Sequence, residues 1–254
     1  MTNKRAAIFG VANDHSIAWA IAQRFRAEGA ELALTYPNEA IEKRVRPLAE
    51  SIGVDLLLPC DVTDDAQIAA VFATLTERWG GGLDAVVHSL AFAGRDDLKG
   101  RFVDTTRQGF QLALDVSAYS LVALARAAEP LLTERRGSVV AMTYFGAEKV
   151  IPHYNVMGVA KAALESCVRY LAFDLGPVGV RVNAISAGPL RTLSSAGIGG
   201  FKSMLHYHEE RAPLRRNIGA EEVAAAALYL CSDAASGITG EVLHVDAGYN
   251  VMGM

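Results

Sequence analysis

Tyr154 and Lys161 stand seven positions apart, and no other pair in the chain has clearer chemical potential. Seven residues make about two helical turns, so on a helix both side chains leave one face. A phenol beside an ammonium can donate to developing negative charge, and the cation favours the phenolate form. The same pair can equally be a chance meeting on a helix surface, and the deciding context lies at the other end of the chain. There Gly10 closes a short apolar run, and the segment GVANDHSIA leads from Gly10 to Ala18 into a helical pattern. The spacing is not G-x-G-x-x-G. Even so, Gly10 permits a tight turn, Ser16 can cap the helix or bond a phosphate, and Ala18 and Ala20 allow helix and sheet to pack closely. Free N–H groups at such a helix start attract pyrophosphate. The plain alternative is an ordinary strand–turn–helix with a serine cap.

Other residues at run ends extend this picture. Asp61 and Val62 follow the third apolar run, where Asp61 can accept from an adenine amine or serve the turn that caps the next helix. Ser89, Leu90 and Ala91 follow the fourth, and the small Ala91 leaves room for a ligand. The tip of the second run carries no acidic residue for a ribose unless Glu39 serves. Lys43 and Arg44 beside it can meet a 2′-phosphate or form a solvated helix face, so NADH against NADPH is open at this point. Tyr144 follows the fifth run, ten residues before Tyr154. Gly158 occupies the position of the lysine in the commoner Tyr-x3-Lys pair and cannot substitute for it.

Short apolar runs alternate with helical periodicities along the chain. Strands are predicted over Ala6–Phe9, Glu31–Tyr36, Asp55–Cys60, Asp84–His88, Ser138–Met142, Val180–Ile185 and Val242–Val245. Helices are predicted over Ser16–Glu28, Glu39–Ser51, Asp65–Trp79, about Arg107–Ala128, about Asn155–Leu175 and Glu221–Cys231, with a short piece at Phe201–Glu210. Strands without a polar face imply a parallel sheet covered on both sides. Thr63 with Asp64 and Asp65, and Thr105 or Thr106, read as helix starts, while Gly176-Pro177 reads as a helix end. The expected fold class is α/β: a single-domain, Rossmann-like, doubly wound parallel sheet of seven strands over residues 1–254. A substrate lid is expected at 188–219, a stretch rich in Gly and Pro at the edge where such folds bind ligands.

The 254 residues are 51% hydrophobic with a formal charge of −4, which favours a globular core and gives no global signal for nucleic acid or anionic membrane. Cys60, Cys167 and Cys231 lie far apart, with neither metal-ligand nor disulfide-framework spacing, and read as buried small hydrophobes. The longest apolar run, Val223 to Cys231, is too short for a bilayer, and no leader pattern opens the sequence. A cytoplasmic protein is the expectation.

The chain strongly resembles the NAD(P)H-dependent enoyl-acyl-carrier-protein reductases of bacterial type II fatty-acid synthesis, a divergent branch of the short-chain dehydrogenase/reductase superfamily. The resemblance covers nearly all of the chain. It is carried by GVANDHSIA at Gly10, CDV at Cys60, HSL at His88, YFGAE at Tyr144, IPHYNVMGVAK from Ile151 to Lys161, RVNAISAGPLRT from Arg181 to Thr192, and GEVLHVDAG from Gly240 to Gly248. It implies that Tyr154 is the catalytic tyrosine beside a thioester carbonyl, that Lys161 anchors the nicotinamide ribose and that Tyr144 is a second active-site tyrosine. It implies cofactor contacts from Gly10, Ser16, Ile17, Asp61, Val62, Ser89, Leu90, Ala91, Ala187, Gly188, Pro189, Leu190 and Thr192. Substrate contacts are expected from Ala91, Phe92, Tyr144, Tyr154, Ile198, Phe201 and Met204. NADH is the expected cofactor, with NADPH possible; no metal is expected. Acyl carrier protein is the expected partner, drawn to Lys202, Arg211, Arg215 and Arg216, and a homotetramer is the expected assembly. Ala91 stands where the family usually has Gly and implies a tighter pocket, and Pro37 stands where many NADH-using members have Gln. A 3-ketoacyl or alcohol oxidoreductase, and a nucleotide-binding protein without chemistry, are the competing readings.

Overall fold

Successive residues of the first strand, β1 (Arg5–Phe9), feed two different cores. Ala6 and Ile8 join one apolar cluster, and Ala7 and Phe9 the other. Side chains alternate across a strand, so a strand buried on both sides must lie in a sheet covered twice. The computed structural model describes residues 1–192 and 201–253, with Phe201 and Lys202 described as backbone alone. Among these residues seven strands form one parallel sheet in the order β3-β2-β1-β4-β5-β6-β7. The remaining strands are β2 (Glu31–Tyr36), β3 (Leu56–Pro59), β4 (Ala85–His88), β5 (Ser138–Thr143), β6 (Arg181–Ala187) and β7 (Val242–Val245).

The helices divide between the two faces. On one face α1 (Ile17–Ala27), α2 (Glu39–Ser51) and α8 (Ala220–Leu230) contribute Phe25, Val45 and Val223 to a common core. On the other, α3 (Asp65–Trp79), α5 (Ser120–Arg135) and α6 (Val156–Leu175) contribute Leu75, Leu124 and Leu164. Burying one side chain of that size contributes about 1.5–3 kcal/mol, so these faces dominate the stabilisation. Two further helices are α4 (Arg107–Leu114) and α7 (Phe201–Arg211).

The strand order reverses between β1 and β4, which pair Ala6 to Phe9 against Ala85 to His88. In an open α/β sheet the ligand crevice lies outside the carboxyl ends of the strands at that reversal. The chain leaves the two strands through Gly10 and Ser89.

Four sequence expectations need correction. The helix expected over about Arg107–Ala128 is two helices joined by a π-helical turn at Asp115–Tyr119. The extra residue of such a turn re-aims side chains. Here it carries Ser117, whose hydroxyl accepts from the Phe92 N–H at 3.0 Å and so ties down the segment after β4. Gly176 does not use left-handed backbone: its φ is −55°, and a 3-10 turn carries the chain to Gly179, where φ is +83°. The start of α3 is capped by Asp64 itself, which accepts from Ala66 and Gln67, while Thr106 caps α4. Cys60 and Cys231 are buried as expected, but Cys167 is only half-buried.

Candidate active site and cofactor cleft

Where β1 and β4 end, the backbones nearly touch. Gly10 has φ +107°, and a Cβ built on it would sit 2.1 Å from the Ser89 carbonyl oxygen. Glycine is required there both for the conformation and for the approach. Ser16 stands at the N-cap of α1 without capping it. Its Oγ instead accepts from the N–H groups of Ala12 and Asn13, each at 3.0 Å, and donates to Asn13 Oδ1 at 3.1 Å. The hydroxyl therefore holds the turn in shape and leaves the first-turn N–H groups at Ile17 to the cleft. That cleft, of about 520 Å³, runs from Asp14 and Ser16 across Pro189 and Leu190 to His206 and Asn217 near α7. Gly188, tied by its N–H to the Val245 carbonyl at 2.8 Å, and the buried Ala187 lead β6 into it. Thr192 is half-buried at the edge of the described residues.

Asp61 serves the turn after β3. Its Oδ1 accepts from the N–H and the hydroxyl of Thr63, at 3.0 and 2.8 Å, and Val62 beside it is buried. At the tip of β2, Lys43 pairs with Glu39 at 2.7 Å and Arg46 with Glu42.

The second half of the site is built on β5. Lys161 is only 4% exposed. Its ammonium donates to the Met142 carbonyl at 2.8 Å and to the Leu90 carbonyl at 3.2 Å, which fastens α6 to the ends of β5 and β4 together. Burial lowers its pKa to about 8, and the Glu165 carboxylate partly opposes that fall. Tyr154 is 8% exposed and meets the Tyr144 ring edge-on, with centroids 5.0 Å apart. Burial first, then Tyr144 and Glu165, push the Tyr154 phenol well above its ordinary range. Burial thus favours the phenol form, able to donate, against the pull toward phenolate that a nearby cation exerts. Burial pushes Tyr144 up to about 12, and its hydroxyl reaches Met204 Sδ of α7 at 3.3 Å.

The helical relation expected between Tyr154 and Lys161 is not what joins them. Tyr154 lies in the turn before α6, flanked by His153 and Asn155 at φ +65° and +43°. Lys161 reaches Met142, and Tyr154 packs on Tyr144, so each is tied to a different residue at the β5 end. Two glycines make this possible. A Cβ on Gly146 would stand 2.5 Å from the Tyr154 ring, and one on Gly158 would stand 2.8 Å from the Gly146 carbonyl oxygen. The fourth position after Tyr154 faces a backbone oxygen and has no room for a side chain.

A third apolar cluster gathers Tyr154, Val156, Met157 and Leu98, with Tyr144 and Ala91 packed against it. Phe92 does not join it, since its side chain is exposed. Ile198 and the side chain of Phe201 lie outside the described residues. Sequence reasoning missed Thr143 and Glu165, which hydrogen-bond at 2.7 Å in the interior. A lone acid four residues after Lys161, on an otherwise apolar helix face, was the signal that could have found them.

The family model for enoyl-(acyl carrier protein) reductases matches residues 10–250. The chain belongs to that family. The NADH-dependent enoyl-acyl-carrier-protein reductase 1 of Rhizobium meliloti is 54% identical over all of this chain and 93% of that protein. The NADH-dependent enzyme of Nostoc sp. is 53% identical over all of this chain and 99% of that protein. The crystal structure of the NADH-dependent reductase of Aquifex aeolicus matches with TM-score 0.96 at 51% identity, covering 100% of this chain and 98% of that one. That of the Bacillus cereus reductase, solved with NADP+ and an indole naphthyridinone, matches with TM-score 0.97 at 52% identity and the same coverage. The family's Rossmann-like architecture is therefore shared end to end.

Proposed function

We propose that this chain is an oxidoreductase of fatty-acid synthesis that reduces trans-2-enoyl thioesters carried on acyl carrier protein, with NADH as hydride donor. The observation that carries this reading is that the Tyr144–Tyr154 pair and the buried Lys161 are both held at the end of β5, in the sheet whose strand reversal is marked by Gly10. The residues suit a dinucleotide: Gly10 lets β1 and β4 end side by side at the strand reversal, where such folds bind ligands, and Lys161 offers a buried cationic donor. Gly10, Ser16, Ile17, Ser89, Leu90, Ala91, Ala187, Gly188, Pro189, Leu190 and Thr192 would line its course, with Asp61 and Val62 toward the adenine. When bound, NADH supplies the hydride for the β-carbon of the substrate.

Tyr154 donates a hydrogen bond to the thioester oxygen, where negative charge grows as the double bond is reduced. A donor held un-ionised and out of water stabilises that charge more in the transition state than in the ground state. Lys161 holds the ribose hydroxyls and fixes the reacting face. Tyr144, Ala91 and Met204 form the wall of the acyl channel. Residues 188–219 act as a lid on a single dinucleotide-binding domain, and the Tyr144–Met204 contact supports this by linking the site to α7. Acyl carrier protein docks by the lid at Arg211 and Arg215; the charge of Arg216 is already matched by a two-bond pair with Glu222 at 2.7 and 2.8 Å. The exposed Tyr170 and Phe173 on α6 support a homotetramer. Among the described residues no helix is long and apolar enough to cross a membrane, in keeping with work in the cytoplasm.

Reduction of a β-keto group by the same fold is disfavoured at Gly158, where the Tyr-x3-Lys spacing would drive a side chain into the Gly146 carbonyl. The test is NADH oxidation with crotonyl-carrier protein and crotonyl-CoA. Tyr154→Phe should lower kcat roughly 100-fold or more, the loss typical of one oxyanion donor. Absence of NADH oxidation by the parent chain on both substrates would end this reading.

A further inference from the structure

The Lys161 ammonium is buried, yet both oxygens that accept from it are neutral carbonyls. A charge taken out of water this far is costly unless an opposite charge stands near. Four residues along α6, and so over the same helix face, lies Glu165, itself only 8% exposed. Its Oε1 accepts from the Thr143 hydroxyl at 2.7 Å. Met142, which receives Lys161, and Thr143, which holds Glu165, are consecutive in β5. One strand end thus fixes the cation and the anion side by side, without a direct ion pair.

We propose that Glu165 is a positioning residue for Lys161: its carboxylate, pinned by Thr143, supplies the negative charge that keeps the ammonium protonated and seated on the carbonyls of Met142 and Leu90. This rests on the cofactor role given to Lys161 above. The other groups around the pair do not duplicate the charge. His88 on β4 is fully buried and burial drives its pKa to about 3, so it is neutral and adds no anion. Tyr154 is held un-ionised. Around Glu165 itself, Glu148 raises its proton affinity while Arg169 and His244 lower it, and His244 already faces Glu148 at 2.9 Å. Burial is the largest influence and raises Glu165, and the Thr143 bond opposes this. The same carboxylate helps keep Tyr154 a phenol. One acid thereby favours the charged lysine against the effect of burial and adds to the burial that keeps the tyrosine neutral.

The signs follow. Removing the Glu165 charge disfavours ammonium, so Lys161 should lose its proton at a lower pH than about 8. Removing the Thr143 hydroxyl leaves Glu165 charged but less well held, so Glu165 should take up a proton at a higher pH.

The experiment follows Lys161 by lysine-selective NMR in the full, ligand-free chain, and the pH profile of kcat/KM with NADH and crotonyl-CoA. Glu165→Gln keeps the shape and can still accept from Thr143. It should lower the Lys161 midpoint by about one unit and bring the alkaline limb down with it, about a tenfold loss above that limb. Glu165→Asp, which keeps the charge, should restore most of the midpoint. Thr143→Val should raise the Glu165 midpoint, read by carboxyl-selective NMR, and leave the alkaline limb in place, and it tests the same arrangement even if Glu165→Gln folds poorly. An active parent whose Lys161 midpoint is unchanged in Glu165→Gln, or whose Glu165 midpoint is unmoved in Thr143→Val, overturns the inference alone. An inactive parent whose Lys161 midpoint still shifts overturns the functional reading and leaves the electrostatic one standing.

Discussion

The end of β5 and the first turns of α2 beyond the tip of β2 each present a lysine, and they hold it in opposite ways. Lys161 is buried against two strand carbonyls, with its pKa lowered to about 8. Lys43 has a side chain 73% exposed and pairs one turn along α2 with Glu39. Burial at β5 makes geometry and charge depend on a few neighbours. Exposure at β2 lets water screen the charge, and such surface pairs contribute about 0–1 kcal/mol. The chemistry should therefore be brittle at β5, and the choice of cofactor should be tunable at β2. Substitutions at three places can break or sharpen that contrast.

The largest effect is expected at Lys161. Lys161→Ala should lower kcat/KM by about 100-fold or more, within the range for a positioned polar group. NADH affinity, read by fluorescence titration, should fall as well. Thermal stability should change little, since removing a desolvated charge offsets the loss of its two hydrogen bonds. Parent-like turnover with parent-like NADH affinity would remove Lys161 from the cofactor site and dissolve the contrast with Lys43.

An intermediate effect is expected at Gly158, and here the reach of sequence reasoning becomes clear. All seven strands were legible, because runs such as Ala6–Phe9 are continuously apolar and are separated by helical periodicity. Boundaries of α2 and α3 were legible too, since Asn38 and Asp64 cap them with side chains that accept from Ile41, Ala66 and Gln67. The break between α4 and α5 was not: nothing in a helix-forming stretch announces that Ser117 must turn to hold Phe92. The candidate pair Tyr154 and Lys161 was picked out by spacing, yet the room for that spacing lies in a contact between distant segments. The Gly158 approach to Gly146 is such a contact, invisible until the chain is folded.

Gly158→Ala gains up to about 1 kcal/mol of helix propensity. The new Cβ must displace a backbone oxygen 2.8 Å away, and overpacking of this kind costs about 1–3 kcal/mol. The net outcome should be a loss on the order of 1 kcal/mol in urea unfolding. A fall in kcat should accompany it, since the displaced turn carries Gly146 against the Tyr154 ring. Placing lysine at 158 in a Lys161→Ala background should not restore activity. Rescue there would mean that the ordinary Tyr-x3-Lys geometry fits this scaffold after all.

The smallest effect is expected at the tip of β2. In a doubly wound fold this tip meets the adenosine ribose, and a 2′-phosphate would arrive beside it. The sequence left open whether Lys43 and Arg44 would receive that phosphate. In the fold, Glu39 and Glu42 occupy the first turn of α2, and each engages a cation, Lys43 and Arg46. Glu42 is lowered in pKa chiefly by Arg46, so it stays ionised at neutral pH. Two carboxylates at this place repel a phosphate, and Glu39 holds Lys43, one of the two candidate cations, which favours NADH. Replacing both by glutamine removes the repulsion and frees the cations. Because every group involved is solvent-screened, the change should be modest: the preference for NADH over NADPH in kcat/KM should narrow by roughly two- to fivefold. The effect should shrink further as salt is added, since it is carried by exposed charges. A salt-independent change would point to packing at Tyr36 and Pro37 as its source. An unchanged ratio would mean that the tip of β2 does not read the ribose, and the contrast with β5 would then be one between a working lysine and a bystander.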